Sequence, residues 1–238
     1  MFGLYSPKYK YIAYISAKCG CTTIRKLFLK IHESEIDTNT FHPPYQLHLT
    51  RYYFPILQSN VKKFLLIRNP YLRVVSMYIN KYVGHDSYLK NKLKSLNIPA
   101  FGNSFYQFLL LLQHLKSMNT LDIDVHIEEQ SHKMDPDPQL QLIHLENINT
   151  ELLSFYQLNY PQFVSEIQSL IMTPENNSQY QNNNQINDTN KIPYINYENP
   201  KQLFPNAKWF YNKMTQKLVY EIYKKDFELL GYSSNLPF

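Results

Sequence analysis

The sequence predicts an α/β fold in one domain, with a central parallel sheet flanked by helices, and three observations carry that prediction. Two strand signals each run through a short polar loop into a helical pattern, and a third strand is again followed by helices. Strands alternating with helices imply parallel pairing. Residues 9–15 (Y-K-Y-I-A-Y-I) read as the first strand, which leads into a helix whose Ile24, Leu27, Phe28 and Ile31 share one face. Residues 61–67 (V-K-K-F-L-L-I) read as a buried strand, and Pro70, a residue suited to a first helical turn, opens the pattern Leu72, Val75, Ile79. Further helices are expected over residues 105–118, 151–156 and 161–172, and a third strand over 139–144. Residues 34–60, with Pro43, Pro44 and Pro55, predict loops around a short helix near 45–53. Residues 174–193 are asparagine-rich and nearly free of apolar side chains, which predicts a mobile insertion. Trp209, Met214, Leu218, Ile222 and Phe227 predict one long amphipathic helix over 206–230, capped by Gly231.

Composition narrows the function. Apolar side chains make up 44% of the 238 residues, enough to bury a core. Twenty-four Lys and Arg against 19 Asp and Glu give a charge of +5, which favours an anionic ligand: a nucleotide, a sulfated glycan or a nucleic acid. The basic residues are dispersed and no nucleic-acid-binding signature occurs, so a nucleic-acid-binding module is the weaker alternative. Cys19 and Cys21, the only cysteines, are too close in sequence to pair and lack partners in a metal-ligand pattern, so neither a disulfide nor a metal is expected. The N-terminus has no apolar leader, and the longest apolar run, residues 105–112, is far shorter than the roughly 20 residues of a membrane span. These features predict a soluble, cytoplasmic protein.

Two loops carry the candidate chemistry. Lys18-Cys19-Gly20-Cys21-Thr22-Thr23 lies where a strand hands over to a helix, so backbone N–H groups and the positive helix end can surround a phosphate. Lys18 adds a charge, and Thr22 and Thr23 add hydroxyl donors. The lysine precedes the glycine, unlike the G-x-x-x-x-G-K-[ST] loop of kinases, which disfavours a kinase-type site. The second loop begins at Arg68, at the carboxyl end of a buried strand, where open α/β sheets bind ligands. Ser76 follows on the helix after it, so the two side chains are candidates to hold a second phosphate.

Together these segments resemble the sulfotransferases, whose K-x-G-x-T loop binds the 5'-phosphosulfate of 3'-phosphoadenosine 5'-phosphosulfate (PAPS) and whose R-x-P-x-x-R-x-x-S-x-Y loop binds its 3'-phosphate. The Golgi carbohydrate sulfotransferases of the chondroitin 4- and heparan 2-sulfotransferase types fit best. Residues 220–232, Tyr220 to Tyr232 (Y-E-I-Y-K-K-D-F-E-L-L-G-Y), are similar to their terminal Y-x-x-D-F-x-x-F-G-Y, His144-Leu145-Glu146-Asn147-Ile148 to their strand-ending Y-E-D-L, and His126-Ile127-Glu128-Glu129-Gln130 to a degraded H-W-x-P-Q. The resemblance implies a P-loop-like nucleotide-binding fold, PAPS as co-substrate without a metal, and sulfuryl transfer to a hydroxyl, on a glycan or another small acceptor. A PAPS-binding protein without catalysis is the alternative. Ala17 stands where the family has a proline, and Ile24 where many members place an adenine-stacking tryptophan. The membrane anchor and disulfides of the Golgi members are missing, so their location does not transfer.

The resemblance also implies roles. Lys18 bridges the sulfuryl group and the 5'-phosphate oxygen, and Cys19, Gly20, Cys21, Thr22 and Thr23 frame that phosphate. Arg68 and Ser76 take the 3'-phosphate. A histidine is the usual general base near neutral pH. His48 ranks first because it precedes Arg68 by about the distance of the catalytic histidine in the heparan 2-sulfotransferase group. His42 and His126 are candidate substrate contacts, and the lysines within 81–94 are candidates for guiding an anionic acceptor.

Overall fold

The computed structural model describes residues 2–6, 8–32, 49–50, 61–84, 88–99, 101–132, 139–171, 189–197 and 204–238. They fall into two compact units, Met1–Arg68 with His132–Glu175 and Asn69–Ser131 with Asn176–Phe238. No helix among the described residues is long and apolar enough to cross a membrane.

The first unit is α/β. Its strands β1 (Phe2–Ser6), β2 (Tyr11–Ile15), β3 (Leu49–Thr50), β4 (Lys62–Ile67) and β5 (Leu140–His144) form one sheet in the order β3-β1-β2-β4-β5. β2, β4 and β5 are parallel, as the alternation of strands and helices predicts. β1 pairs antiparallel with both β2 and β3, so the sheet is mixed at one side. Residues 49–50 are thus strand where the sequence predicts a short helix. In β4 every residue from Lys63 to Ile67 is buried, the continuous run of a strand covered on both faces. Helices α1 (Cys21–Ile31), α5 (Ile148–Asn159) and α6 (Val164–Ile171) cover one face. There Ile24, Leu27 and Phe28 of α1 and Leu152, Phe155 and Tyr156 of α5 cluster with Ala13, Ile15, Phe64, Leu66 and Ile143 of the strands. The fully buried apolar side chains of this cluster each contribute roughly 1.5–3 kcal/mol.

The second unit is helical, built from α2 (Pro70–Met77), α3 (Tyr88–Ser95), α4 (Phe105–Ser117), α7 (Lys213–Ile222) and α8 (Lys224–Leu229). Asn69 caps α2 through a side-chain bond from the Tyr71 N–H, with Pro70 at the first helical position. A capping box of Ser104 and Gln107 opens α4. Tyrosines are used twice here. Their rings fill the core beside Phe105, Phe108 and Phe210, while their hydroxyls donate to loop carbonyls, Tyr82 to Gly102 O and Tyr211 to Tyr71 O at 2.7 Å each.

The C-terminal segment departs from the predicted single helix. Asn212 caps α7, and the helix breaks at Tyr223 before α8. The break coincides with buried polar contacts that Tyr223 and Asp226 make to residues 127–131. Gly231 does cap the end, at φ +73°, with the Tyr232 N–H reaching Phe227 O in a Schellman arrangement. The end of the expected mobile insertion also differs. Thr189–Tyr194 forms a 3-10 helix whose Ile192 is fully buried in the helical core, while residues 172–188 lie outside the described residues.

Candidate active site

The loop from β2 to α1 is a tight turn closed by the Cys19 N–H donating to Ser16 O at 3.2 Å. Its third residue, Lys18, has φ +68°, a left-handed conformation that costs a side-chain-bearing residue about 1–2 kcal/mol. A strained lysine at the carboxyl end of a parallel strand, the edge at which open α/β sheets bind ligands, is the kind of outlier that marks a functional position. Cys19 is fully buried and the Cys21 thiol donates to Ser16 O at 3.2 Å, so both cysteines shape the loop from inside. Gly20 has φ +78°, and a Cβ there would stand 2.9 Å from Leu145 Cδ1 and 3.0 Å from Leu66 Cδ2. Gly20→Ala is therefore expected to lower stability by at least about 1–2 kcal/mol. An unchanged thermal denaturation midpoint would contradict this loop geometry.

α1 then begins at Cys21, with Thr22 and Thr23 partly exposed in its first turn and no acidic residue there. The first N–H groups of any helix lack intrahelical partners and carry its positive end, so this terminus suits an anion.

Arg68 leaves the end of β4, and its Nη1 donates to the carbonyl of Lys18 at 3.1 Å. The two loops singled out by sequence are thus joined, and the guanidinium holds the strained residue in place. The register adds a side chain that sequence reasoning did not place in the site. Ile67, just before Arg68, pairs with His144 at the end of β5. The His144 ring Nδ1 lies 3.0 Å from Glu151 Oε2, and the same oxygen accepts the His144 backbone N–H at 2.6 Å. The strand register sets this histidine level with Ile67, at the sheet edge from which Arg68 leaves.

His42 and His48 lie outside the described residues. Ser76 belongs to the second unit, buried on α2, with its carbonyl accepting from Asn80 Nδ2 at 2.9 Å. His126 is partly exposed and held by Asp124, whose Oδ1 accepts its backbone N–H at 2.9 Å and lies 2.7 Å from its Nδ1. Burial raises the Asp124 carboxyl, but hydrogen bonds from His126 and Lys92 outweigh it and hold the group well below the usual carboxylate range. Lys92 is paired with Asp124 at 2.7 Å and Lys90 with Asn103, so these two lysines serve the fold.

In the second unit, three segments singled out by sequence meet. Arg73 Nη2 donates to His126 O at 3.3 Å, and the Tyr223 hydroxyl donates to Ile127 O at 2.9 Å. Asp226 accepts the Gln130 N–H at 2.9 Å and both the N–H and hydroxyl of Ser131 at 2.8 Å. The Y-x-x-D-F pattern thus acts as a buried clasp on the chain after His126.

The chain matches the model of the sulfotransferase family over residues 4–233. It belongs to that family, and its chemistry is in general that of sulfuryl transfer. No curated protein and no solved structure matches it significantly.

Proposed function

We propose that the protein transfers the sulfuryl group of PAPS to a hydroxyl, on a carbohydrate. The observation that carries this reading is the Arg68 bond to the Lys18 carbonyl, which fixes a cationic loop at a helix N-terminus beside a second cation. The donor set fits a nucleotide with two separated anionic groups. Helix N–H groups and the Thr22 and Thr23 hydroxyls bind the 5'-phosphate, and the Lys18 ammonium neutralises charge on the oxygen that leaves sulfur. Arg68 takes the 3'-phosphate, with Ser76 as the partner that the sequence pattern assigns. The acceptor oxygen forms the new bond to sulfur as the bond to the phosphate oxygen breaks, and its proton passes to a base. His48 is the base assigned by resemblance, with His42 and His126 the other histidines that the sequence offers.

The carbohydrate acceptor rests on the likeness of residues 126–130 and 223–227 to the carbohydrate branch. Incubation with isotopically labelled PAPS and a panel of hydroxyl-bearing glycans tests it. Label in a glycan supports the reading, whereas nucleotide binding with no transfer to any acceptor, tyrosine peptides included, favours a PAPS-binding protein without catalysis.

A further inference from the structure

Tyr71 stands in the first turn of α2, three residues after Arg68 and five before Ser76, inside the stretch given above to the 3'-phosphate. That turn offers an anion fewer backbone donors than most, because Pro70 has no N–H and the Tyr71 N–H is taken by Asn69 Oδ1 at 3.0 Å. Phosphate binding there depends on side chains, and so on where the turn is held. The Tyr71 ring is fully buried against Tyr211 and Phe227, with centroids 5.2 and 4.9 Å away. Its hydroxyl donates at 2.7 Å to the carbonyl of Ser234, past the end of α8, and Gln216 Nε2 of α7 donates to the same carbonyl at 3.1 Å. The segment that supplies this carbonyl is slight. Residues 233–235, 237 and 238 are exposed, and the partly buried Leu236 and the Phe238 ring, 6.1 Å from that of Tyr211, tie it down. A segment with so little buried surface opens at low cost in free energy.

We propose that residues 233–238 form a strap that, through the Ser234 carbonyl, holds Tyr71 and with it the start of α2 where the donor's 3'-phosphate is read. Tyr71 and Gln216 are then positioning residues, and the strap is part of the selectivity for 3'-phosphorylated nucleotides. This rests on the PAPS reading above. That reading gives the 3'-phosphate to Arg68 and Ser76, which bracket Tyr71 in the chain, and the 5'-phosphate to Lys18 and the start of α1. Loosening the strap therefore weakens recognition of the 3' group and spares that of the 5' group. The effect of the Tyr71 hydroxyl runs through Ser234, so it disappears once the strap is removed.

The test is calorimetric titration with 3'-phosphoadenosine 5'-phosphate and with 5'-AMP, for wild type, Tyr71→Phe, a chain ending at Ser233, and the two changes combined. Tyr71→Phe keeps the buried ring and deletes one hydrogen bond, so it is expected to weaken the bisphosphate about threefold to tenfold and to leave 5'-AMP unchanged. The chain ending at Ser233 should lose at least as much, and Tyr71→Phe within it should lose nothing further. Equal losses for both nucleotides, bisphosphate affinity unchanged in Tyr71→Phe, or additive losses in the combined variant would overturn the assignment. If the shortened chain does not fold, Tyr71→Phe decides alone, by the ratio of the two affinities. If wild type itself does not prefer the bisphosphate over 5'-AMP, the PAPS reading fails instead.

Discussion

Replacing Lys18 with alanine is expected to lower sulfuryl transfer by on the order of 10²–10³-fold, the loss typical when one preorganised group facing transition-state charge is removed. The residue occupies a left-handed conformation at the end of β2, with its carbonyl held by Arg68. On the proposed reading, that strain is tolerated because it presents the ammonium near the start of α1. Alanine keeps the carbonyl, and so the Arg68 bond, while deleting the charge. Stability should change little, because Lys18 is partly exposed. Steady-state kinetics with labelled PAPS, beside a thermal denaturation curve, separates the two effects. A variant that retains wild-type kcat would remove Lys18 from the chemistry.

The largest effect on stability is expected at Asp226. Its carboxylate is fully buried, accepts three hydrogen bonds from Gln130 and Ser131, and interacts with Arg73. Burial pushes its carboxyl above the ordinary value, opposed by Arg73 and the bonds from residues 130–131. Asp226→Ala strands those donors and leaves the Arg73 guanidinium buried with less compensation. Removing one partner of such a pair costs about 3–5 kcal/mol. Urea denaturation should show that loss, and Arg73→Met in the Asp226→Ala background should cost far less than Arg73→Met alone. Additive losses would mean that the two residues do not act as one buried network.

Much of this architecture was legible in the sequence because it is local. The β2 and β4 strands, the Pro70 helix start, the helix after Ser104 and the Gly231 cap each follow from residues within a few positions of one another. What escaped is set by contacts distant in sequence. β3 falls in a stretch that reads as loops around a short helix, and β1 received no reading, because antiparallel pairing of β1 with β2 and with β3, not propensity, makes them strands. The C-terminal helix breaks at Tyr223, where the hydroxyl reaches Ile127 and Asp226 reaches residues 130 and 131, a demand that hydropathy spacing does not show. In the candidate site, Lys18, Gly20 and Arg68 were readable from their places at strand ends. The bond joining them was not, and His144 entered only through its register with Ile67.

The central claim is that Lys18 and Arg68 frame a site for a nucleotide phosphorylated at both the 5' and 3' positions. Calorimetric titration with 3'-phosphoadenosine 5'-phosphate beside ATP and AMP, for wild type and Arg68→Ala, tests it most directly. The account predicts tight binding of the bisphosphate alone and a loss of about 10-fold or more in Arg68→Ala, the effect of one charge-assisted hydrogen bond. Equal affinity for ATP, or bisphosphate binding unchanged by Arg68→Ala, would contradict it.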